Sequence, residues 1–139
     1  MYEARTGAGA VVERNDEVQA GRILVVDDDE LFGGFVASAL GARGHDVDWA
    51  ASVEDGLATL YTGRYDLVLI DLRLPDGNDF DLIRTATDSG LLTGSSAIVL
   101  TGHAFDEPSD IRVLHKPQMA DLDSFLDRVG VIVAITRKR

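Results

Sequence analysis

Five polar side chains carry the chemistry that this sequence can do, and each closes a short aliphatic run. Asp27 and Asp28 follow Ile23-Leu24-Val25-Val26, and Asp71 follows Leu67-Val68-Leu69-Ile70. Thr101 follows the run from Ala97 to Leu100, and Lys116 follows Val113-Leu114-His115. Carboxylates gathered in one place raise one another's pKa unless a cation sits among them. With oxygen ligands alone and no His or Cys in the set, the expected ion is hard, Mg2+ rather than Zn2+. Mg2+ takes one or two carboxylates and leaves room for water and phosphate oxygens, which makes this a phosphoryl-transfer arrangement rather than a structural cage. The chain has two lysines, Lys116 and Lys138, so the folded region holds one, and it belongs to this set.

The elements that must position these residues follow from hydrophobic pattern. Continuous aliphatic runs bounded by acids suit strands buried on both faces. Between them, Leu31, Phe32, Phe35, Val36, Ala39 and Leu40 recur at helical spacing, with Gly44 as the C-terminal stop and Gly33-Gly34 as a weak point inside. Val47 to Ala50 predicts a second strand, and Ser52-Val53-Glu54-Asp55 a capped helix burying Leu57, Leu60 and Tyr61 and ending at Gly63. Pro75-Asp76-Gly77-Asn78 is turn chemistry before a helix carrying Phe80, Leu82, Ile83 and Ala86. A last helix shows Met119, Leu122, Phe125, Leu126 and Val129. Alternating strands and helices predict an α/β fold with a parallel sheet covered on both faces. Right-handed crossovers then bring every strand's C-terminal end to one edge, where such sheets bind ligands.

The 139 residues make one domain, expected over 23–130, after a tail at 1–22 and before a C-terminal extension or helix end at 131–139. Between Ile23 and Thr136 there are 20 acidic and 7 basic residues, a net −13 that argues against nucleic-acid binding. No apolar run reaches the roughly 20 residues of a membrane span, and no secretory leader pattern opens the chain. With no cysteine, disulfides and thiol chemistry are excluded, and the cytoplasm is the simplest compartment.

Taken in order, Ile23-Leu24-Val25-Val26-Asp27-Asp28-Asp29-Glu30, then Asp66-Leu67-Val68-Leu69-Ile70-Asp71-Leu72-Arg73-Leu74-Pro75, then Thr101-Gly102 and Lys116-Pro117 resemble the receiver domain of two-component response regulators. The likeness runs from about Arg22 to Gly130. It implies a flavodoxin-like, doubly wound five-stranded parallel sheet of order 2-1-3-4-5. It also implies that Asp71 accepts a phosphoryl group from the phosphohistidine of a sensor histidine kinase or histidine phosphotransfer protein. Asp28 would then bind Mg2+ directly, Asp27 mainly through water, and Asp71 and the backbone carbonyl of Arg73 would complete the ligands. Lys116 would pair with a phosphate oxygen, and Thr101 would hydrogen-bond another.

Three positions depart from the family pattern. Val113 stands where an aromatic usually follows the phosphorylation state. Gly102 to Asp110 is too short for a full crossover helix, so the fourth helix is expected short or absent and the oligomeric state stays open. Asn78-Asp79 replaces a common Asp-Gly pair. Plainer roles suit several other residues: Asp29 and Glu30 as helix-start acids, His45 and His115 as structural, His103 as a loop histidine, Trp49 and Tyr61 as packing. Val131 to Ile135 reads as a helix end or packing strap. With only a short tail after the domain, output is expected through contact with an unidentified protein or onward transfer in a phosphorelay. The alternative is a receiver-fold binding module that ignores phosphorylation. A phosphohydrolase is a third reading, weakened by Arg73 where a proton-donating acid would stand.

Overall fold

The computed structural model describes residues 20–71, 73–101, 112–117 and 121–138, with the backbone alone for Arg73, Asn78, Asp79, Phe80, Thr101, Arg112, Val113 and His115. Its elements are β1 (Arg22–Val26), α1 (Glu30–Ala42), β2 (Asp46–Ala50), α2 (Val53–Thr62), β3 (Leu67–Asp71), β4 (Arg73–Leu74), β5 (Gly77–Asn78), α3 (Asp79–Asp88), β6 (Ser96–Thr101), β7 (Arg112–His115) and α4 (Leu122–Arg137). Five strands form a parallel sheet in the order β2-β1-β3-β6-β7, while β4 and β5 make a small antiparallel hairpin. Counting only the five sheet strands, this is the expected 2-1-3-4-5 order of a flavodoxin-like sheet.

Alternation along the strands sorts the core into two layers, because successive side chains point to opposite faces. Ile23, Val25, Leu67 and Leu69 pack with Val36 and Leu40 of α1 and Phe125, Leu126, Val129 and Val133 of α4. Leu24, Val26, Val68 and Ile70 pack on the other side with Leu60 of α2 and Leu82 and Ala86 of α3. The strands are thus covered on both faces, which is why they read as unbroken aliphatic runs.

Each cap has a visible cause. Asp29 accepts the N–H groups of Leu31 and Phe32 to open α1, and Gly44, at φ +95°, follows the Arg43 C-cap. Ser52 Oγ accepts the Asp55 N–H to open α2. The turn residue Asp76 caps the same helix from a distance, its two carboxylate oxygens taking the N–H groups of Val53 and Glu54. α4 runs unbroken through Gly130. Its later turns place Val129, Ile132, Val133 and Thr136 along one buried stripe, and the Thr136 hydroxyl meets Ser96 Oγ at 2.6 Å. Arg43 ties α1 to α4 by pairing with Asp123 and Asp127.

Several expectations need correction. The first strand begins at Arg22, one residue early, because Arg22 pairs with Asp46 of β2 and its carbonyl accepts the Asp66 N–H. Leu31 is 86% exposed and Tyr61 72% exposed, so neither is a packing residue. Their neighbours Phe32 and Leu60 pack into the core from the same turns, so Leu31 and Tyr61 lie on the solvent side of their helices. The shortened crossover, with His103, and Met119 lie outside the described residues. Among the described residues no helix is long and apolar enough to cross a membrane.

Candidate functional site

The C-terminal ends of β1 and β3 deliver their acids to the same place. Oxygen atoms of Asp27, Asp28 and Asp71 all lie within 4.8 Å of one another. Lys116, in the turn after β7, brings its ammonium to 3.0 Å from Asp27 Oδ2 and 3.1 Å from Asp71 Oδ1. The same Nζ stands 4.6 Å from the centre of the Phe32 ring on α1, so an aromatic face supports the cation from a third direction. Thr101 ends β6 in register with His115, which places it on the same sheet edge. The backbone of Arg73 follows in β4.

Burial makes this cluster costly when it lacks a cation. Asp27 is 1% exposed, and its Oδ1 accepts the Asp29 N–H at 2.9 Å. Its Oδ2 has no aligned hydrogen bond, so the contact with Lys116 is an ion pair only. Burial first, and the neighbouring Asp27 charge second, push the Asp71 carboxyl above its usual range, with Lys116 opposing them. For Lys116, burial works to lower the pKa, but the carboxylates of Asp27 and Asp71 override it and the net direction is upward. With all four groups ionised, three carboxylates face one ammonium, leaving two negative charges and a buried oxygen short of a partner. That donor set and charge suit a hard divalent ion.

All five residues singled out by sequence are thus gathered at one sheet edge: Asp27, Asp28, Asp71 and Lys116 by side-chain geometry, and Thr101 by its strand position. Two aromatic contacts were not foreseen. Phe32 carries Lys116, and the Trp49 indole N–H donates to the backbone carbonyl of Asp27 at 2.7 Å. The signal for the second lay in Gly33: a Cβ there would come within 2.6 Å of Trp49 Nε1.

The chain is similar to known proteins in sequence and in fold. The Pseudomonas aeruginosa response regulator protein PmrA is 35% identical over 109 residues, covering 76% of this chain and 43% of PmrA. The acid tolerance regulatory protein ActR of Rhizobium meliloti is 41% identical over 81 residues, 58% of this chain and 41% of ActR. The chain therefore spans about two fifths of the length of such relatives. Among solved structures, a receiver domain protein from Methanospirillum hungatei superposes with a TM-score of 0.74 at 28% identity, over 86% of this chain and 98% of that one. The receiver domain of the hybrid histidine kinase CckA gives 0.70 at 28% identity, over 81% and 99%. The response regulator receiver domain matches residues 23–123, the stretch that runs from β1 into α4 and contains every residue of the acidic edge. On that match, with the sheet order and the likeness in structure, the chain belongs to the response regulator receiver domain family.

Proposed function

We propose that Asp71 is the phosphoacceptor of a Mg2+-dependent receiver that takes its phosphoryl group from a phosphohistidine. The observation that carries this reading is Lys116, whose single ammonium bridges Asp27 and Asp71 at 3.0 and 3.1 Å inside a cluster of three carboxylates. In the step proposed, an Asp71 carboxylate oxygen bonds to phosphorus as the P–N bond of the donor breaks, and the imidazole leaves with the bonding pair. Bound Mg2+ would offset charge on the transferring oxygens. Asp28 would be a direct protein ligand, Asp27 would act mainly through water, and Asp71 and the Arg73 carbonyl would complete the set. Lys116 pairs with one oxygen of the product phosphate and Thr101 donates to another.

The proposed donor is a sensor histidine kinase or a histidine phosphotransfer protein, and the proposed output is protein contact or onward transfer, in the cytoplasm. The receiver is assigned to 23–130, with residues 131–137 continuing its last helix. Intact-mass measurement after incubation with phosphoramidate and Mg2+ tests the core of this. One added phosphoryl group is expected for wild type and none for Asp71→Asn. Unchanged wild-type mass at saturating Mg2+ would instead favour a binding module that works without phosphorylation.

A further inference from the structure

The backbone of the acidic loop is clamped from one side by the end of β2. The Asp27 N–H donates to the Ala50 carbonyl at 2.9 Å, extending the β1–β2 ladder by one step. The Asp27 carbonyl accepts the Trp49 indole N–H at 2.7 Å. That carbonyl belongs to the peptide unit joining Asp27 to Asp28. Rotation about ψ of Asp27 moves this oxygen and carries Asp28 with it, so a donor that holds the oxygen also holds the placement of Asp28. The neighbouring contacts hold other atoms: the Asp29 N–H is held by Asp27 Oδ1, and Asp29 itself caps α1.

The indole reaches the carbonyl by lying across α1 at Gly33. A Cβ there would meet Nε1 at 2.6 Å, closer than side chains come, and Cε2 at 3.0 Å and Cδ1 at 3.1 Å, both tight. At Gly34 a Cβ would meet nothing within 4 Å. Of two adjacent helical glycines, each costing about 1 kcal/mol against Ala, one therefore has a steric reason, and that reason is the indole. The ring is 39% exposed, so apolar burial alone does not account for a glycine given up to seat it.

From this we infer that Trp49 is a positioning residue for the metal site: its indole N–H fixes the Asp27–Asp28 peptide so that the Asp28 carboxylate faces Asp71. The inference rests on the proposed Mg2+ site. Losing a hydrogen bond that orients a metal ligand typically weakens binding 10- to 100-fold, and one bond to a backbone carbonyl belongs near the lower end.

Trp49→Phe keeps an aromatic ring over Gly33 and removes the N–H. Calorimetric titration with Mg2+ is expected to show about tenfold weaker binding than wild type. Phosphoryl uptake from phosphoramidate should fall at low Mg2+ and return to near the wild-type rate at saturating Mg2+. Mg2+ affinity within twofold of wild type in a cooperatively folded Trp49→Phe overturns the inference and leaves the site reading intact. Wild type that binds no Mg2+ overturns the site reading, and the inference with it. Wild type also supplies a measurement that needs no variant, because Trp49 is the chain's single tryptophan. Hydrogen exchange at its indole N–H should be slow and become slower with Mg2+; exchange as fast as free indole overturns the clamp.

Discussion

Lys116 Nζ lies 3.1 Å from Asp71 Oδ1, so the ammonium stands where a negatively charged phosphoryl group bonded to that carboxylate would need a partner. Before any such group arrives, Lys116 is the counter-ion that Asp27 and Asp71 share, and the Phe32 ring beneath it limits where the ammonium can go. In the proposed mechanism one cation would serve two states of the site: it offsets two acids in the first, and would remain in place for the phosphate in the second.

Lys116→Met should separate those two services. Removing the donor aimed at the transferring oxygens is expected to slow phosphoryl uptake about 100-fold, the scale seen when one preorganised charge partner is lost. Mg2+ binding should become tighter, because the competing ammonium has gone. Initial rates by intact mass and calorimetric titration read the two effects. Uptake within threefold of wild type would remove Lys116 from the mechanism.

Asp71→Asn should raise thermal stability while abolishing uptake. The folded Asp71 carboxyl has a pKa above its ordinary value because burial and the Asp27 charge disfavour ionisation. A raised folded pKa contributes stability that is present below the ordinary value of 3.8 and is lost as pH rises through the folded value. At pH 7 the ionised group is thus a net cost, which the amide removes. Scanning calorimetry without Mg2+ should show Asp71→Asn melting above wild type at pH 7, with the gap closing in acid and on adding Mg2+ to wild type. A wild type that melts as high at pH 7 without Mg2+ would contradict this.

His45 should make stability fall on the acid side. Its Nδ1 accepts the Gly21 N–H at 3.1 Å, a role open only to the unprotonated nitrogen, and burial first and Arg43 second lower its pKa. A depressed folded pKa gives stability that is present above the unfolded value of 6.5 and is lost as pH falls toward the folded one. The slope is at most about 1.4 kcal/mol per pH unit. His45→Gln keeps an acceptor for Gly21 and should flatten this limb in denaturant melts between pH 5 and 8. An unchanged slope in the variant would assign the acid sensitivity to other groups.

The acidic edge was legible because buried parallel strands must be aliphatic throughout, so the first polar residue after each run marks the sheet's edge. Asp27, Asp71 and Thr101 are found by that one rule, and Lys116 stands one residue further on, after His115. Contacts between elements do not show in periodicity. Asp76 reads as turn chemistry, yet it caps α2 across the hairpin. Trp49 reads as packing, yet it is a donor to the site's backbone. Leu31 and Tyr61 fit the helical stripe, but it is their neighbours Phe32 and Leu60 that turn into the core. Thr136 looks like a polar residue past the domain, whereas its pairing with Ser96 explains why α4 continues so far.

Tyr65 should set the alkaline limit from the opposite end of the sheet. Its hydroxyl donates to Asp48 Oδ2, and the Arg22 guanidinium stands 4.7 Å over its ring while pairing with Asp46 and Asp48. Burial first, and the Asp48 hydrogen bond next, push the phenol up from 10.0 to about 12. A raised folded pKa means this contribution is complete below pH 10 and is lost as pH rises toward 12. Tyr65→Phe should therefore cost about 1 kcal/mol at pH 8, the net worth of one such hydrogen bond, and flatten the decline above pH 10. Tyr65 precedes β3, whereas Asp71 ends it, so the length of a strand separates the variant from the acidic cluster. Mg2+ affinity should accordingly match wild type. A Tyr65→Phe protein with the wild-type alkaline limb would show that some other group, and not this phenol, titrates as the fold is lost.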